Sequence, residues 1–139
     1  MSWLTWSLLS AVFAAATAIL AKLGVANVDS NFATAIRTSV VVLFTWLMAY
    51  GTSKPGAFQI HSNKTWLFLV LSGLATGLSW LCYFRALQLG PASRVAPIDK
   101  LSVALVIVFG ILFLGEKLTF GKGVGGLLIV AGAIFIALD

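Results

Sequence analysis

The chain has 139 residues, of which 60% are hydrophobic and 9% are charged, and its mean hydropathy is +1.06. A soluble domain of this length needs a polar exterior, which nine Lys and Arg plus four Asp and Glu cannot supply. The composition therefore excludes a soluble globular protein and indicates lipid as the solvent. The net charge of +5 indicates anionic lipid headgroups rather than nucleic acid, because no stretch is basic enough to follow a phosphate backbone.

Five continuous hydrophobic stretches follow one another along the chain, each with the roughly 20 apolar residues that a membrane-crossing helix needs. Period-two alternation is absent, so helices are favoured over the strands of a β-barrel. We expect an all-α integral membrane protein with one transmembrane domain, residues 1–139. The predicted spans are about 3–23, 32–50, 65–89, 95–114 and 120–138.

Turn and capping residues mark the ends of these spans. Asp29, Ser30 or Asn31 is expected to cap the second span, and the Gly90-Pro91 pair is expected to end the third. The longest connection, residues 51–63, contains the single histidine, His61. The connection between the last two spans is so short that they must be antiparallel neighbours.

An odd number of spans places the two termini on opposite sides of the bilayer. The Lys and Arg residues then divide almost evenly between the two sides, so the positive-inside rule gives this chain no clear orientation. The alternative is that one charge beside a critical span still decides it. The side of the N-terminus holds Lys54, Lys64, Lys117 and Lys122, and the other side holds Lys22, Arg37, Arg85, Arg94 and Lys100.

Polar residues recur on one face of the third span. Ser72, Thr76, Ser79 and Tyr83 follow one another at steps of four, three and four, with Trp80 beside them. Hydroxyl groups in lipid need a hydrogen-bond partner, so this face is predicted to line a substrate path inside the bundle. The alternative is that these hydroxyls bond to carbonyls of their own helix.

The first span has small and hydroxyl residues on a single face, including Ser10 and Thr17. This face is predicted either to contribute to the same path or to pack tightly against another helix. The last span has no polar stripe and is interpreted as a packing or lipid-facing helix.

Charged residues at membrane depth are candidates for function. We expect Asp99 to form a charged gate with Arg37, Arg85 or Lys100. The alternatives are that Asp99 lies in the first turn of a helix led by Pro97, where the helix dipole stabilises a carboxylate, and that the arginines extend to the interface.

Several classes of site have no support in the sequence. No His, Cys, Asp and Glu residues have metal-ligand spacing, and no catalytic triad, P-loop or dinucleotide glycine motif is present. We therefore expect no enzyme activity, no catalytic residues, no cofactor and no metal.

Two segments together resemble the EamA-type repeat of the drug/metabolite transporter superfamily. The first begins as YFRAL at residue 83, passes a small-residue turn, and continues into a helix led by Pro97 that finishes in Leu-Gly-Glu at Gly115 and Glu116. The second, GGLLIVAGAIFIAL, covers residues 125–138 and is similar to the closing helix of that family. The resemblance covers the whole chain as one five-helix repeat.

Most members of that family carry two such repeats with inverted topology, whereas this chain carries one. The resemblance therefore implies an antiparallel dimer, most simply a homodimer, around a site near the bilayer midplane. The related small multidrug resistance proteins use a membrane-embedded Glu in their first helix, which this chain lacks, so their coupling site does not carry over.

Together these features predict a secondary transporter in a prokaryotic inner membrane, moving a small metabolite or drug-like molecule by alternating access. Two alternatives stay open. One is a non-transporting membrane subunit or scaffold that pairs with a related chain, and the other is a small dual-topology ion channel.

Overall fold

The computed structural model of the chain describes residues 2–53 and 62–138, and these are helical apart from short connections. Lys54, His61 and Asp139 lie outside the described residues. The helices are α1 (Trp3–Gly24), α2 (Ser30–Thr52), α3 (Asn63–Leu89), α4 (Ala92–Asp99), α5 (Leu101–Leu114) and α6 (Phe120–Leu138). Since α4 and α5 form one span, five segments of the described chain are long and apolar enough to cross a membrane. The predicted all-α membrane fold is confirmed.

Side chains cap the starts of three helices. Asp29 caps α2, because its Oδ1 accepts the backbone N–H groups of Asn31 at 2.9 Å and Phe32 at 3.0 Å. The Ser2 hydroxyl accepts the N–H of Thr5 at 3.3 Å before α1. Before α6, the Thr119 hydroxyl accepts the N–H of Lys122, also at 3.3 Å. Each cap satisfies a donor that a helix end leaves without an intrahelical partner.

The fourth span differs from the sequence-based expectation. Its helix begins at Ala92, almost a turn before the predicted start, with Pro91 as N-cap in an extended conformation. Pro97 therefore lies inside α4 rather than at its start. A proline inside a helix removes the bond to the carbonyl four residues earlier and crowds it. The regular helix ends two residues after Pro97, at Asp99, and resumes at Leu101.

The expectation that Asp99 is a first-turn residue is consequently wrong, since Asp99 is the last residue of α4. The N–H of Lys100 donates to the carbonyls of Ala96 at 3.3 Å and Pro97 at 3.1 Å, and the N–H of Val103 donates back to the Lys100 carbonyl at 3.0 Å. The bonds to Pro97 and Lys100 each span three residues, as in a 3₁₀ turn. This tight turn joins α4 to α5.

The described chain divides into two units, of which one contains residues 2–22 and 89–138. In this unit α6 packs along α4 and α5, as expected for neighbours joined by a short connection. A Cβ built on Gly126 of α6 would lie 3.2 Å from Cδ1 of Ile107 on α5. This glycine therefore allows the two helices to approach closely.

The other unit contains residues 23–53 and 62–88, and thus α2 and α3. Its buried residues fall at the start of α2 and the end of α3, together with the connection that leads into α2. They are Val25, Ser30, Thr34, Phe84 and Leu87. Most large apolar side chains elsewhere in the unit are exposed, as expected where lipid is the solvent.

Gly115 provides a test of the turn that joins α5 to α6. Its φ of 67° lies in the left-handed region, where a Cβ costs about 1 kcal/mol or more. We expect Gly115→Ala to lower the free energy of unfolding by about 1 kcal/mol, measured by far-ultraviolet circular dichroism in mixed micelles.

Gly132→Ala is the matched control. Gly132 lies within α6, and a Cβ there would meet nothing within 4 Å among the described residues. The same substitution is therefore expected to leave stability unchanged or to raise it, because Ala favours a helix over Gly. An equal loss in both variants would contradict the role assigned to Gly115.

Candidate functional site

The clearest polar feature inside a span is the half-buried side chain of Arg37 on α2. Its guanidinium carbon lies 4.1 Å from the centroid of the Trp80 ring and 5.4 Å from that of Phe84, both on α3. These are cation–π distances, with the cation attracted by the electron-rich face of each ring. Tyr83 lies on the same face of α3, three residues after Trp80. We call Arg37, Trp80, Tyr83 and Phe84 the Arg37 cluster.

The Arg37 cluster lies well inside the two helices. Arg37 is about 10 Å along α2 from Ser30, and Trp80 is about 14 Å along α3 from Leu89, at 1.5 Å per residue. A long basic side chain near a helix end usually extends to the interface. Arg37 instead places its guanidinium on the ring of Trp80, which keeps the charge at the depth of the aromatic side chains.

No acidic residue of the same unit pairs with Arg37. Asp29 is the one acid in residues 23–88, and its carboxylate caps α2. Neither of the two ion pairs seen among residues 2–53 and 62–138 involves Arg37. The cluster is therefore a cation held by aromatic rings without a counter-ion from its own unit.

A hydrogen-bonded amide lies at the same end of the unit. The Gln88 Nε2 donates to the carbonyl of Val28 at 2.6 Å and to that of Val25 at 3.3 Å, which ties the connection before α2 to the end of α3. The Arg85 Nη1 in turn donates to Oε1 of Gln88 at 3.0 Å. Arg85 thus orients this amide instead of pairing with an acid.

The predicted polar stripe of α3 is present, and its hydroxyl side chains are exposed. Ser72, Thr76 and Ser79 are exposed, whereas Trp80 and Tyr83 are partly buried. The Thr76 hydroxyl donates to the Ser72 carbonyl at 2.9 Å. This is a bond within one helix, the alternative given for these hydroxyls in the sequence analysis. Thr76 therefore needs no second helix to satisfy its hydroxyl, and the face retains an acceptor oxygen for water or a ligand.

The remaining predicted site residues belong to the unit of residues 2–22 and 89–138. Asp99 pairs with Lys100 at 3.2 Å, with both side chains at least a third exposed, so this pair contributes little to stability. Ser10 on α1 is exposed, and Thr17 is partly buried. At the end of α1, the Lys22 Nζ donates to the carbonyl of Gly90 at 2.8 Å.

The Leu-Gly-Glu motif has a structural role in this unit. The backbone N–H groups of Gly115 and Glu116 both donate to the Gly110 carbonyl. The Glu116 carboxylate lies over Gly110, where a Cβ would be 3.4 Å from its Cδ, and it pairs with Lys122 of α6 at 2.8 Å. The motif thus closes the hairpin of α5 and α6.

Sequence reasoning missed a second polar face, on α2. The hydroxyl of Thr34 donates to the Ser30 carbonyl and that of Thr38 to the Thr34 carbonyl, each at 2.7 Å. These residues recur every four positions beside Arg37, and this spacing is the signal that could have identified the face. Gln88 was missed because a single amide at a helix end has no periodic pattern.

Residues of the types that bind metals are scattered in the described chain. Residues 2–53 and 62–138 contain no group of three or more His, Cys, Asp and Glu side chains that could hold a metal ion. Cys82, the chain's single cysteine, is exposed on α3.

Comparison with known proteins gives a consistent result. Residues 1–138 match the EamA-like transporter family. The chain is 54% identical over 140 residues to an "Uncharacterized transporter in cobO 3'region" from a Sinorhizobium species. The matched residues make up 99% of this chain and 97% of that protein. Two Bacillus subtilis proteins, the "Uncharacterized transporter YxxF" and "Uncharacterized transporter YvbV", are 28% and 30% identical over 94% and 89% of this chain.

This chain covers 41% of YxxF and 40% of YvbV, so each Bacillus transporter is more than twice as long as the matched part. No solved structure matches the chain.

Five helices of membrane-crossing length, with mostly exposed apolar side chains, define a multi-pass integral membrane protein. The chain belongs to the EamA-like transporter family, and the predicted resemblance is confirmed. Its class is therefore that of a membrane transporter.

Substitution of Gln88 tests whether its amide holds the connection before α2 against the end of α3. We expect Gln88→Met to lower the free energy of unfolding by about 0.5–1.5 kcal/mol, because it removes the bonds to the carbonyls of Val25 and Val28 at similar side-chain volume. Unfolding by detergent, followed by circular dichroism, measures the change.

Ser39→Ala is the control for this substitution. The Ser39 hydroxyl is exposed and donates to the Ala35 carbonyl of its own helix, so its removal is expected to change stability by less than about 0.5 kcal/mol. If both variants unfold like the parent chain, the Gln88 amide does not hold the connection.

Proposed function

We propose that this protein is a secondary transporter that moves a small organic molecule by alternating access, and that it works as a pair of identical chains in opposite orientations. The membrane we propose is a prokaryotic inner membrane, as suits relatives from bacteria. Family membership supports transport itself, and the pairing and mechanism rest on the arguments below.

One observation carries the proposal of opposite orientations. The chain has five membrane-length segments, and its Lys and Arg residues divide four to five between the two sides: Lys54, Lys64, Lys117 and Lys122 against Lys22, Arg37, Arg85, Arg94 and Lys100. Orientation is set by the excess of Lys and Arg on the cytoplasmic side. A chain without that excess is expected to insert both ways.

The lengths of the relatives support a two-unit assembly. The Bacillus transporters are more than twice as long as the part that matches this chain, which leaves room in them for a second unit of the same size. Inverted pairs of such units enclose a site near the bilayer midplane in many transporters. A second copy of this chain in the opposite orientation would supply the other half.

The surface of α3 also suits a partner helix. Gly73 and Gly77 form a GxxxG pair, and a Cβ on either would meet no described atom within 4 Å. Small residues at this spacing allow two membrane helices to approach closely. The adjacent face carries Ser72, Thr76 and Ser79, which we propose to line the path.

The first test measures the side on which residue 53 lies. With Cys82→Ser as background, Ser53→Cys places one thiol at the exposed end of α2. In sealed cells we expect an impermeant maleimide to label about half of the molecules, and the remainder to react only after permeabilisation, because the balanced Lys and Arg distribution favours neither orientation.

A charge-shifted variant serves as the control. Adding two lysines beside residue 53 is expected to fix the orientation, so that labelling becomes all or none. If the chain without added lysines is labelled at position 53 from one side only, the antiparallel pair of identical chains is contradicted. A different partner chain would then have to supply the inverted half.

The second test asks whether the α3 stripe faces water. In the same Cys82→Ser background, single Cys substitutions at Ser72, Thr76 and Ser79 are expected to react with a water-soluble maleimide in membranes, because the thiolate that reacts forms only where water reaches. Mass spectrometry measures the labelled fraction.

Leu78→Cys is the control, since Leu78 is an exposed apolar residue on the opposite face of the same helix, which we expect to face lipid. It is expected to stay unlabelled. Equal labelling at position 78 and at the stripe, or no labelling at either, would rule out a water-filled path along this face.

A further inference from the structure

We propose that Arg37 binds an oxyanion, a carboxylate or phosphate group, and that the transported molecule therefore carries such a group. The inference names the substrate class for the proposed transport function and so rests on it. Its basis is the geometry of the Arg37 cluster, together with the distribution of charge in residues 23–88.

Contact with aromatic rings does not use the hydrogen-bond donors of an arginine. A guanidinium is planar, with a face that stacks on aromatic rings and an edge that carries five N–H donors. In the cluster, Trp80 and Phe84 contact the cation at 4.1 and 5.4 Å from their centroids. Rings accept no conventional hydrogen bond at the donor edge, so a ligand with two oxygens can still bind it in the bidentate way that guanidinium groups favour.

Charge in this unit also favours an anion. Its one acid, Asp29, is committed to the backbone N–H groups of Asn31 and Phe32. Arg85, two residues beyond Tyr83 on α3, adds a second positive charge towards the same end of the helix. An incoming oxyanion therefore meets net positive charge, and its attraction is stronger at membrane depth than in bulk water because the surrounding dielectric is lower.

A purely structural role explains Arg37 poorly. The contact with the rings could be supplied by an apolar side chain, which would cost no desolvation, whereas a cation inside a span is expensive unless it is paired. The rings attract the cation, but they do not neutralise its charge as a carboxylate would. A cation kept at this depth without a carboxylate from its own unit matches a site whose counter-ion arrives with the ligand.

Binding can be measured on the whole chain in nanodiscs of phosphatidylcholine, which has no net charge. The probes are succinate, inorganic phosphate and the neutral diamide of succinate, at constant ionic strength. The signal is the fluorescence of Trp80, taken as the difference between the parent chain and Trp80→Phe. We expect a saturable change with succinate or phosphate at millimolar concentrations and none with the diamide.

The response should depend on the side chain at position 37. Arg37→Gln is expected to weaken binding by about tenfold or more, since it removes charge-assisted hydrogen bonds. The affinity of Arg37→Lys should lie between those of the parent chain and Arg37→Gln, because lysine keeps the charge and loses the bidentate geometry. Lys64→Gln is the matched control, as it removes one positive charge from the same unit about 24 Å along α3 from Trp80 and should leave binding unchanged.

A second measurement needs no substitution. Phenylglyoxal modifies accessible arginines, and mass spectrometry of the parent chain reports Arg37 and the exposed Arg94 in one sample. We expect succinate, but not its diamide, to protect Arg37 while Arg94 reacts as before. Absence of both the fluorescence response and the protection, or a response that Arg37→Gln leaves intact, overturns the proposal.

Anionic lipid is the other source of the same chemistry. If discs with phosphatidylglycerol already give the Trp80 signal and the protection of Arg37, and succinate adds nothing, then a headgroup phosphate occupies the site and the substrate assignment is wrong. These measurements detect binding to the purified chain, so their failure is distinct from failure of the antiparallel assembly, which labelling at position 53 detects separately.

Discussion

The structure depends on one constraint: lipid offers no hydrogen bonds, so each polar group inside a span needs a partner from the protein, from trapped water or from a ligand. The hydroxyl of Thr76 bonds to a carbonyl of its own helix, and the amide of Gln88 bonds to the connection before α2. Where a partner of this kind is missing, function is the usual reason. Arg37 is such a place, since its charge rests on Trp80 and no acid of its unit pairs with it.

The two units satisfy this constraint by different means. The hairpin of α5 and α6 relies on close helix approach, a left-handed glycine at position 115 and one ion pair at its exposed turn. Residues 23–88 instead rely on side chains that bond to backbone, with Asp29 at one helix start and Gln88 at one helix end. The Leu-Gly-Glu motif, which signals the family in the sequence, thus closes the turn between the two helices of this hairpin.

Much of the fold could be predicted from the sequence, because long apolar stretches in lipid have few alternatives to helices. The helix stop at Gly90-Pro91 followed from local chemistry, as did a cap at Asp29, Ser30 or Asn31, of which the structure has Asp29. The position of the break at Lys100 could not be predicted. Pro97 interrupts the helix only because α4 already begins at Ala92, after Pro91, and the sequence did not indicate that early start. The pairing of Arg37 with Trp80 joins two helices and has no local signature. Sequence reasoning therefore identified both residues as candidates but assigned Arg37 to a gate with Asp99.

The hydroxyl groups of α2 have a mechanical consequence. Those of Thr34, Thr38 and Thr45 all donate to carbonyls within the helix itself. A hydroxyl bonded across to a second helix fixes the two helices in register, because sliding or rotation must first break the bond. Hydroxyls turned back on their own helix impose no such register, so α2 can turn about its axis without losing a polar bond made by these groups. The register of α2 against α3 therefore rests on other contacts, among them that of Arg37 with the ring of Trp80.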